Sequence, residues 1–533
     1  MSAPVSLSIK SPARRLSRKG HHVVTAVDFT LIFVLSLALR LHGLGTKPFW
    51  IDEVVTKVRV SLPVGKLIKD SFSHHHLPTY FLLLAQLSPG ADPWLLRLPS
   101  AIAGALAAAL GVLVGRKLAE SAGAGRAGGI MSGLLLAASP VMVQFSQDAR
   151  PYALELACLM LSLLGLATLA CDAEAAGGPW RQGIGAWSAL VLGTVGALAL
   201  IGNAVPFLLV ANLSAWPIAR GLAGTARRRF LLRLIGGQAA GLLVVAPLYL
   251  AMSHSVEGDY MAAFNWIPPL TARRAWQVVA DVYLLRMANI ASLHLLPGGL
   301  PALGLAVPLL AGAGFVALRG RHAARIAMVL SVIALPLVLV LSAPAHPLWL
   351  PRYLLWSGAA FLILAGVGAA WLAQRWHLAQ SFRLAAAAVT AALLLFNLLP
   401  FYGAETAPRW DLAAAALVPA LAAGADVYLD DHGVPTMLRA YLPSGDAALP
   451  KSRVIYQIGE AEARLRAGSP IIAIHGPTGQ ELISRMSVFR ARVKPLGAPA
   501  EQISIGKEIV LIRFAPAPAS ASRPAESDVR PNP

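Results

Sequence analysis

Apolar runs of roughly 18 residues or more, each free or nearly free of charge, recur along most of this chain, and short basic clusters separate them. A run of that length matches the thickness of a bilayer's hydrocarbon core when it is wound as a helix. Read in order, the runs predict about eleven spans. The first follows a basic segment, 1–22, that contains Arg14, Arg15, Arg18 and Lys19. Its apolar stretch, Val23 to Leu44, is too long for a signal-peptide core and lacks a small-residue cleavage site, so it reads as a retained anchor. The next segment, 46–97, holds only short apolar stretches. Its best one, His76 to Leu87, suits an interfacial or re-entrant helix. Counting it as a span would put Arg116, Lys117 and Arg126 outside. Left out, it places Arg116 and Lys117, then Arg220 and Arg227 to Arg233, then Arg319, Arg321 and Arg325, then Arg375 and Arg383, all on the inner face.

From Gly403 the pattern changes. Trp410 to Ala423 reads as an amphipathic helix. Val427 to Leu429, Val454 to Tyr456, Ile471 to Ile474 and Ile509 to Ile512 read as short buried strands between helical stretches, so 404–514 is expected to be a small α/β domain outside the membrane. The tail 515–533, rich in Pro, Ala and Ser, reads as disordered. The fold class expected is therefore a polytopic α-helical membrane protein with a transmembrane domain over 23–403 and a small carboxyl-terminal α/β extracytoplasmic domain.

Composition agrees with the pattern. Of the 533 residues 56% are apolar and only 13% charged, and mean hydropathy is +0.63. The net charge of +19 lies in the clusters between spans, which is the positive-inside distribution; a nucleic-acid partner is excluded on that ground. Cys158 and Cys171 lie in or near apolar runs, with neither a disulfide framework nor a metal spacing.

Charge is scarce, so its placement carries information. Acids at a membrane surface are costly unless something uses them. The topology puts Asp52 and Glu53 just outside the first span, His74, His75 and His76 before the interfacial helix, and Arg97 at the start of span two. On the same face fall Gln147-Asp148-Ala149-Arg150-Pro151-Tyr152, the loop acids Glu257 and Asp259, and Arg352-Tyr353. Carboxylates suit a base or a metal ligand, and arginines suit a phosphate. Each has a plainer reading. Arginines at helix starts also fit snorkelling to the interface, Asp52 also fits a helix N-cap, and Asp148 fits a structural partner of Arg150 as well as a second acid. Three consecutive histidines also fit a solvated cluster and are not a metal spacing.

The sequence carries a resemblance on these residues. FWIDE after the first span, HHHLPTYFLLL, RLPSAIAGAL, SPVMVQFSQDARPYAL and PRYLLWSGAAFLILAGVGAA, in that order, resemble the polyprenyl-phosphate-sugar-dependent GT-C glycosyltransferases. That group includes protein O-mannosyltransferases and the aminoarabinose transferases of lipid A. His76-Leu77-Pro78 departs from the motif by lacking its first proline. The resemblance implies transfer of one sugar from a polyprenyl-phosphate donor to an acceptor hydroxyl of a glycan, lipid or protein. It implies an inverting displacement on the outer face of a bacterial inner membrane. Asp52, with Glu53 and Asp148, would be catalytic. Arg97, Arg150, Tyr152, Arg352 and Tyr353 would bind the donor phosphate, and His75 and His76 would contact substrate or a metal. No cofactor is required by the pattern, and a divalent ion on the outer acids is left open. The alternative class is a secondary transporter or flippase for a lipid-linked or polar solute. Transporters gather polar residues at the bilayer midplane, often in repeated halves, whereas here they gather at one face.

Overall fold

Within a bilayer each backbone N–H and C=O must bond inside its own segment, and the apolar runs of this chain accordingly fold as helices. The structure, a computed structural model, describes residues 18–515 apart from 88–91, 175–182, 203, 256–269, 284–298, 320–348, 377–379, 405–406, 430–432, 443–446, 477–485, 497–499 and 507. Helix α1 (Arg18–Leu41) is followed by three short helices, α2 (Ile51–Val60), α3 (Val64–Ser73) and α4 (Thr79–Ala85), across the segment read as an outer loop. Then come α5 (Pro93–Ala119), α6 (Gly125–Ala138), α7 (Pro140–Ser146), α8 (Tyr152–Glu174), α9 (Ile184–Leu200), α10 (Ala204–Arg220), α11 (Gly224–Ser255) and α12 (Ala272–Val282). The helices Gly299–Ala317, Leu355–Arg375 and Gln380–Gly403 complete the apolar part.

Among the described residues five helices are long and apolar enough to cross a membrane, or six if α6 and α7 form one bent span. The expected count of eleven goes beyond these. The ninth expected span, ending at Pro344, lies outside the described residues, as do Glu257, Asp259 and the tail 516–533. Helices α5 and α6 meet through glycines. A Cβ on Gly129 would lie 2.6 Å from Val112 O, and one on Gly128 would lie 2.6 Å from Ala119 Cβ. That close approach is what holds helices together where lipid supplies no hydrophobic drive.

The bend of 61° between α6 and α7 has a chemical cause. Pro140 has no N–H, so the carbonyl of Leu136, four residues earlier, loses its helical partner. Arg40 of α1 supplies the missing donors: its guanidinium donates to Leu136 O at 3.4 Å, to Ala137 O at 3.1 Å and to Ser146 Oγ at 3.0 Å. In return Gln147 Nε2 donates to the carbonyls of Arg40 at 2.9 Å and His42 at 2.8 Å, at the end of α1. The two breaks cap each other. The exit of α1 is thereby locked to the loop 147–151, and Asp52 follows the end of α1 by eleven residues.

Beyond Gly403, the helix Trp410–Ala422 precedes a five-stranded sheet of order β2-β1-β3-β5-β4. Its strands are β1 (Asp426–Leu429), β2 (Val454–Ile455), β3 (Ile471–His475), β4 (Ala500–Ile505) and β5 (Ile509–Phe514). β1 runs parallel to β2 and β3, while β5 is antiparallel to β3 and β4. All four residues of β1 are buried, as expected of a strand covered on both faces. One hydrophobic core joins Phe49, Val54, Tyr80 and Phe81 to Trp410, Leu417, Leu438 and Ile474. The sheet region thus rests on the segment that carries Asp52.

Candidate functional site

Helix α2 begins at Ile51, with Trp50 as its N-cap residue, so Asp52 and Glu53 fall in its first turn. Successive residues on a helix point about 100° apart. The two acids therefore meet different surroundings.

Glu53 is only 1% exposed and faces α5. Arg97 donates to it through Nε and Nη2, both at 2.7 Å, in a bidentate pair. Its other acceptor positions take Ala149 N at 2.8 Å and Trp50 N at 3.4 Å. Arg97 also donates to the carbonyls of Leu44 and Lys47, each at 2.9 Å, and of Pro48 at 3.1 Å. A guanidinium has five N–H donors, and these five bonds account for all of them. Glu53 also reaches the N-cap residue, so the capping considered for Asp52 belongs to its neighbour. Asp52 sits inside the first turn, where its charge complements the helix dipole.

Asp52 is 28% exposed and faces two guanidiniums at longer range: Arg352 Nη1 at 3.6 Å and Arg150 Nε at 4.0 Å. Arg150 is buried, and among the described residues its Nε has no hydrogen-bond partner. Its Nη1 reaches Asp52 O at 3.5 Å, and its Nη2 lies 3.2 Å from His76 Nε2. Arginine can only donate, so His76 Nε2 accepts and its proton sits on Nδ1. Burial, then the charges of Arg150 and Arg59, hold the His76 pKa well below the ordinary imidazole value. His75 takes a left-handed φ of 60° between α3 and α4, and this turn delivers His76 to Arg150. Aromatic rings line the cations. Arg352 lies 5.6 Å from the Trp50 ring, 5.8 Å from Tyr152 and 5.4 Å from Tyr353. Arg150 lies 5.9 Å from Phe81 and 5.8 Å from Tyr152, and Arg59 lies 4.6 Å from Phe81.

Beside this cluster is a cavity of about 250 Å³, lined by Lys47, Trp50, Gln144, Asp148, Arg352 and Phe401 among others. Burial, reinforced by the nearby charges of Glu53 and Asp52, raises the Asp148 pKa well above the usual carboxylate value. Burial lowers that of Lys47 to about 8, with Asp148 opposing and Arg97 adding to the shift. Lys47 Nζ donates to Phe401 O at 2.6 Å and lies over the Phe401 ring.

No protein-family model matches the sequence, and no curated protein does. Solved structures do. The chain superposes on ArnT from Cupriavidus metallidurans in the apo state with a TM-score of 0.54 at 16% identity, covering 94% of this chain and 99% of that one. With the same protein bound to undecaprenyl phosphate the TM-score is 0.55 at 16% identity, over 95% and 100% of the two chains. An Archaeoglobus fulgidus oligosaccharyltransferase in complex with Zn and sulfate gives 0.50 at 11% identity, over 84% of this chain and 67% of that one. The chain has the GT-C fold.

On this GT-C scaffold the residues singled out by sequence divide into three groups. Asp52, Arg150, Arg352, His76, Tyr152 and Tyr353 come together. Asp148 faces the adjoining cavity. Glu53 and Arg97, expected among the ligand-contacting groups, are instead fully engaged with each other and with backbone. Sequence reasoning passed over Lys47 and Arg59. Both carried a readable signal, as rare charges in an apolar chain, and Arg59 lies seven residues after Asp52 on the same helical face. A divalent ion fits poorly. Asp52 faces cations, Glu53 is saturated, and among the described residues no three His, Cys, Asp or Glu side chains form a ligand set.

Proposed function

We propose that this chain is a membrane glycosyltransferase that moves one sugar from a polyprenyl-phosphate donor to an acceptor hydroxyl. The observation that carries the reading is Asp52, a partly open carboxylate held 3.6–4.0 Å from two buried arginines. A phosphate entering between Arg150 and Arg352 would find charge-assisted donors and would draw both guanidiniums from Asp52. The freed carboxylate would accept the acceptor's proton as its oxygen attacks the anomeric carbon. The sugar–phosphate C–O bond breaks, and the polyprenyl phosphate leaves with its charge on the arginines. Attack opposite the leaving group inverts the anomeric centre. Asp148, whose pKa burial raises above the usual carboxylate value, would hydrogen-bond a sugar hydroxyl in the adjoining cavity. Tyr152 and Tyr353 would hold the arginines in place. Glu53 and Arg97 also line that cavity, and with their polar atoms engaged by each other and by backbone they would position α2; no step is routed through a metal. The polar groups gather where helices meet loops, which supports transfer at one face over transport through a midplane site.

The same reading places the site and the carboxyl-terminal region on the outer face of a bacterial inner membrane, with Arg227 to Arg229 inside. Membrane-impermeant thiol labelling from the outside should modify a cysteine placed at Gly433 and not one placed at Arg228; the reverse pattern would overturn the orientation. For the activity, purified protein should bind undecaprenyl phosphate. It should also consume one member of a panel of undecaprenyl-phosphate-linked pentoses and hexoses only when an acceptor is added. Binding without consumption of any of them across glycan, lipid and peptide acceptors would count against it.

A further inference from the structure

Among the described residues, α5 holds one side of α2 through the Glu53–Arg97 pair. Its other side is held by the carboxyl-terminal region. The N–H of Phe49, just before α2, donates to Tyr441 Oη. One and a half turns into α2, Lys57 Nζ donates to Ala440 O at 2.8 Å. Phe49 is fully buried, with its ring 6.2 Å from the Tyr441 ring and 5.1 Å from the Arg97 guanidinium. Tyr441 follows the helix Val434–Arg439, whose Met437 and Leu438 share a core with Phe49 and Val54. The segment 437–441 thus grips α2 at its start and in its second turn, three residues from Asp52.

We propose that Tyr441 is a positioning residue that sets the orientation of Asp52 from outside the transmembrane helices. This rests on Asp52 being the base. The physical case is local. Without Tyr441 Oη, the N–H of Phe49 would be buried with no acceptor, a loss larger than that of one exchanged hydrogen bond. The cheapest relief is a shift of 48–51, which is the entry to α2. A small shift there moves Asp52 relative to Arg150 and Arg352, which sit on other elements. The arginines keep their places, so a donor phosphate still binds, while the attacking geometry deteriorates.

The test uses the full chain in lipid nanodiscs. Tyr441→Phe removes one oxygen and keeps the ring packing. Amide hydrogen exchange across 48–56 should speed up, affinity for undecaprenyl phosphate should stay unchanged, and turnover of the undecaprenyl-phosphate-linked pentose or hexose should fall by about tenfold, short of the ~10²-fold that a 1 Å misplacement can cause. Lys57→Met should produce the same split more weakly. Unchanged exchange across 48–56 would overturn the proposal. Equal losses in thermal stability, affinity and turnover would overturn it too, because they mark general damage. Asp52→Asn in the same assays separates the two readings: full turnover there defeats the base assignment, while the exchange data still judge the contact between Tyr441 and α2.

Discussion

Asp52 and Glu53 are neighbours of the same charge on one helix turn, yet their surroundings are opposite. Every acceptor position of Glu53 is taken and its partner Arg97 has no donor left. Asp52 is partly open, and the guanidiniums nearest to it stand too far off for good hydrogen bonds. Burial alone does not separate the two, since Arg150 and Arg352 are buried as Arg97 is. Saturation does. A closed pair fixes geometry, whereas a partly open carboxylate met only at 3.6–4.0 Å keeps binding capacity for something that arrives later.

The sharpest way to break this contrast is to replace each acid by its amide. Asp52→Asn is nearly isosteric but cannot take a proton, so turnover should fall by roughly 10² to 10⁴ while the protein stays folded and still binds undecaprenyl phosphate. Asp52→Glu should be intermediate, keeping the carboxylate but moving it. Glu53→Gln should fail differently. It leaves the Arg97 charge buried and uncompensated, which costs about 3–5 kcal/mol of stability when one partner of a buried pair is removed. Turnover per folded molecule should change far less. A stable Glu53→Gln protein with no turnover would reverse the two roles.

Sequence could name both acids but could not divide them. Their difference depends on which way a helix turn faces and on a partner 44 positions away, at Arg97. What was legible followed from scarcity and periodicity: long apolar runs predicted helices, and rare charges singled out Asp52, Arg150 and Arg352, which the fold brings together. The break at Ser139-Pro140 was missed because 127–143 is uniformly apolar, and hydropathy does not register a carbonyl that loses its partner. Arg40, which supplies that carbonyl, sits at the end of an apolar run and reads as an ordinary flanking charge. β4 was missed because Glu501, Gln502 and Ser504 are polar and exposed on an edge strand. Strand detection relied on buried apolar runs.

The arginines offer a second, smaller contrast. Arg150→Ala and Arg352→Ala should each weaken undecaprenyl phosphate binding by about 1–3 kcal/mol, the worth of a charge-assisted hydrogen bond. Neither should unfold the protein, because each meets Asp52 only at 3.6–4.0 Å. Arg97→Ala should do the reverse, lowering thermal stability strongly and leaving the affinity of the surviving folded fraction close to wild type. If Arg150→Ala and Arg352→Ala both keep wild-type affinity, these side chains are interface anchors and the open side of the contrast disappears.

The mildest effect should come from His76, the histidine of the open cluster. Its pKa is held below the ordinary value by burial first and by Arg150 and Arg59 next. A base whose folded pKa is depressed contributes stability that is fully present above its unfolded value, about 6.5. That stability is lost as pH falls from there through the folded pKa, because the unfolded chain takes up the proton more readily. Protonation would also remove the acceptor that Arg150 Nη2 uses at 3.2 Å and set a second cation against it. Thermal stability should therefore decline as pH drops below about 6.5. His76→Gln offers an oxygen to Arg150 but does not titrate, so its stability–pH curve should be flatter on the acid side. Identical curves for wild type and His76→Gln would mean that His76 titrates as freely in the folded protein as in the unfolded chain. Arg150 would then have lost the neutral partner that sets it apart from the saturated Arg97.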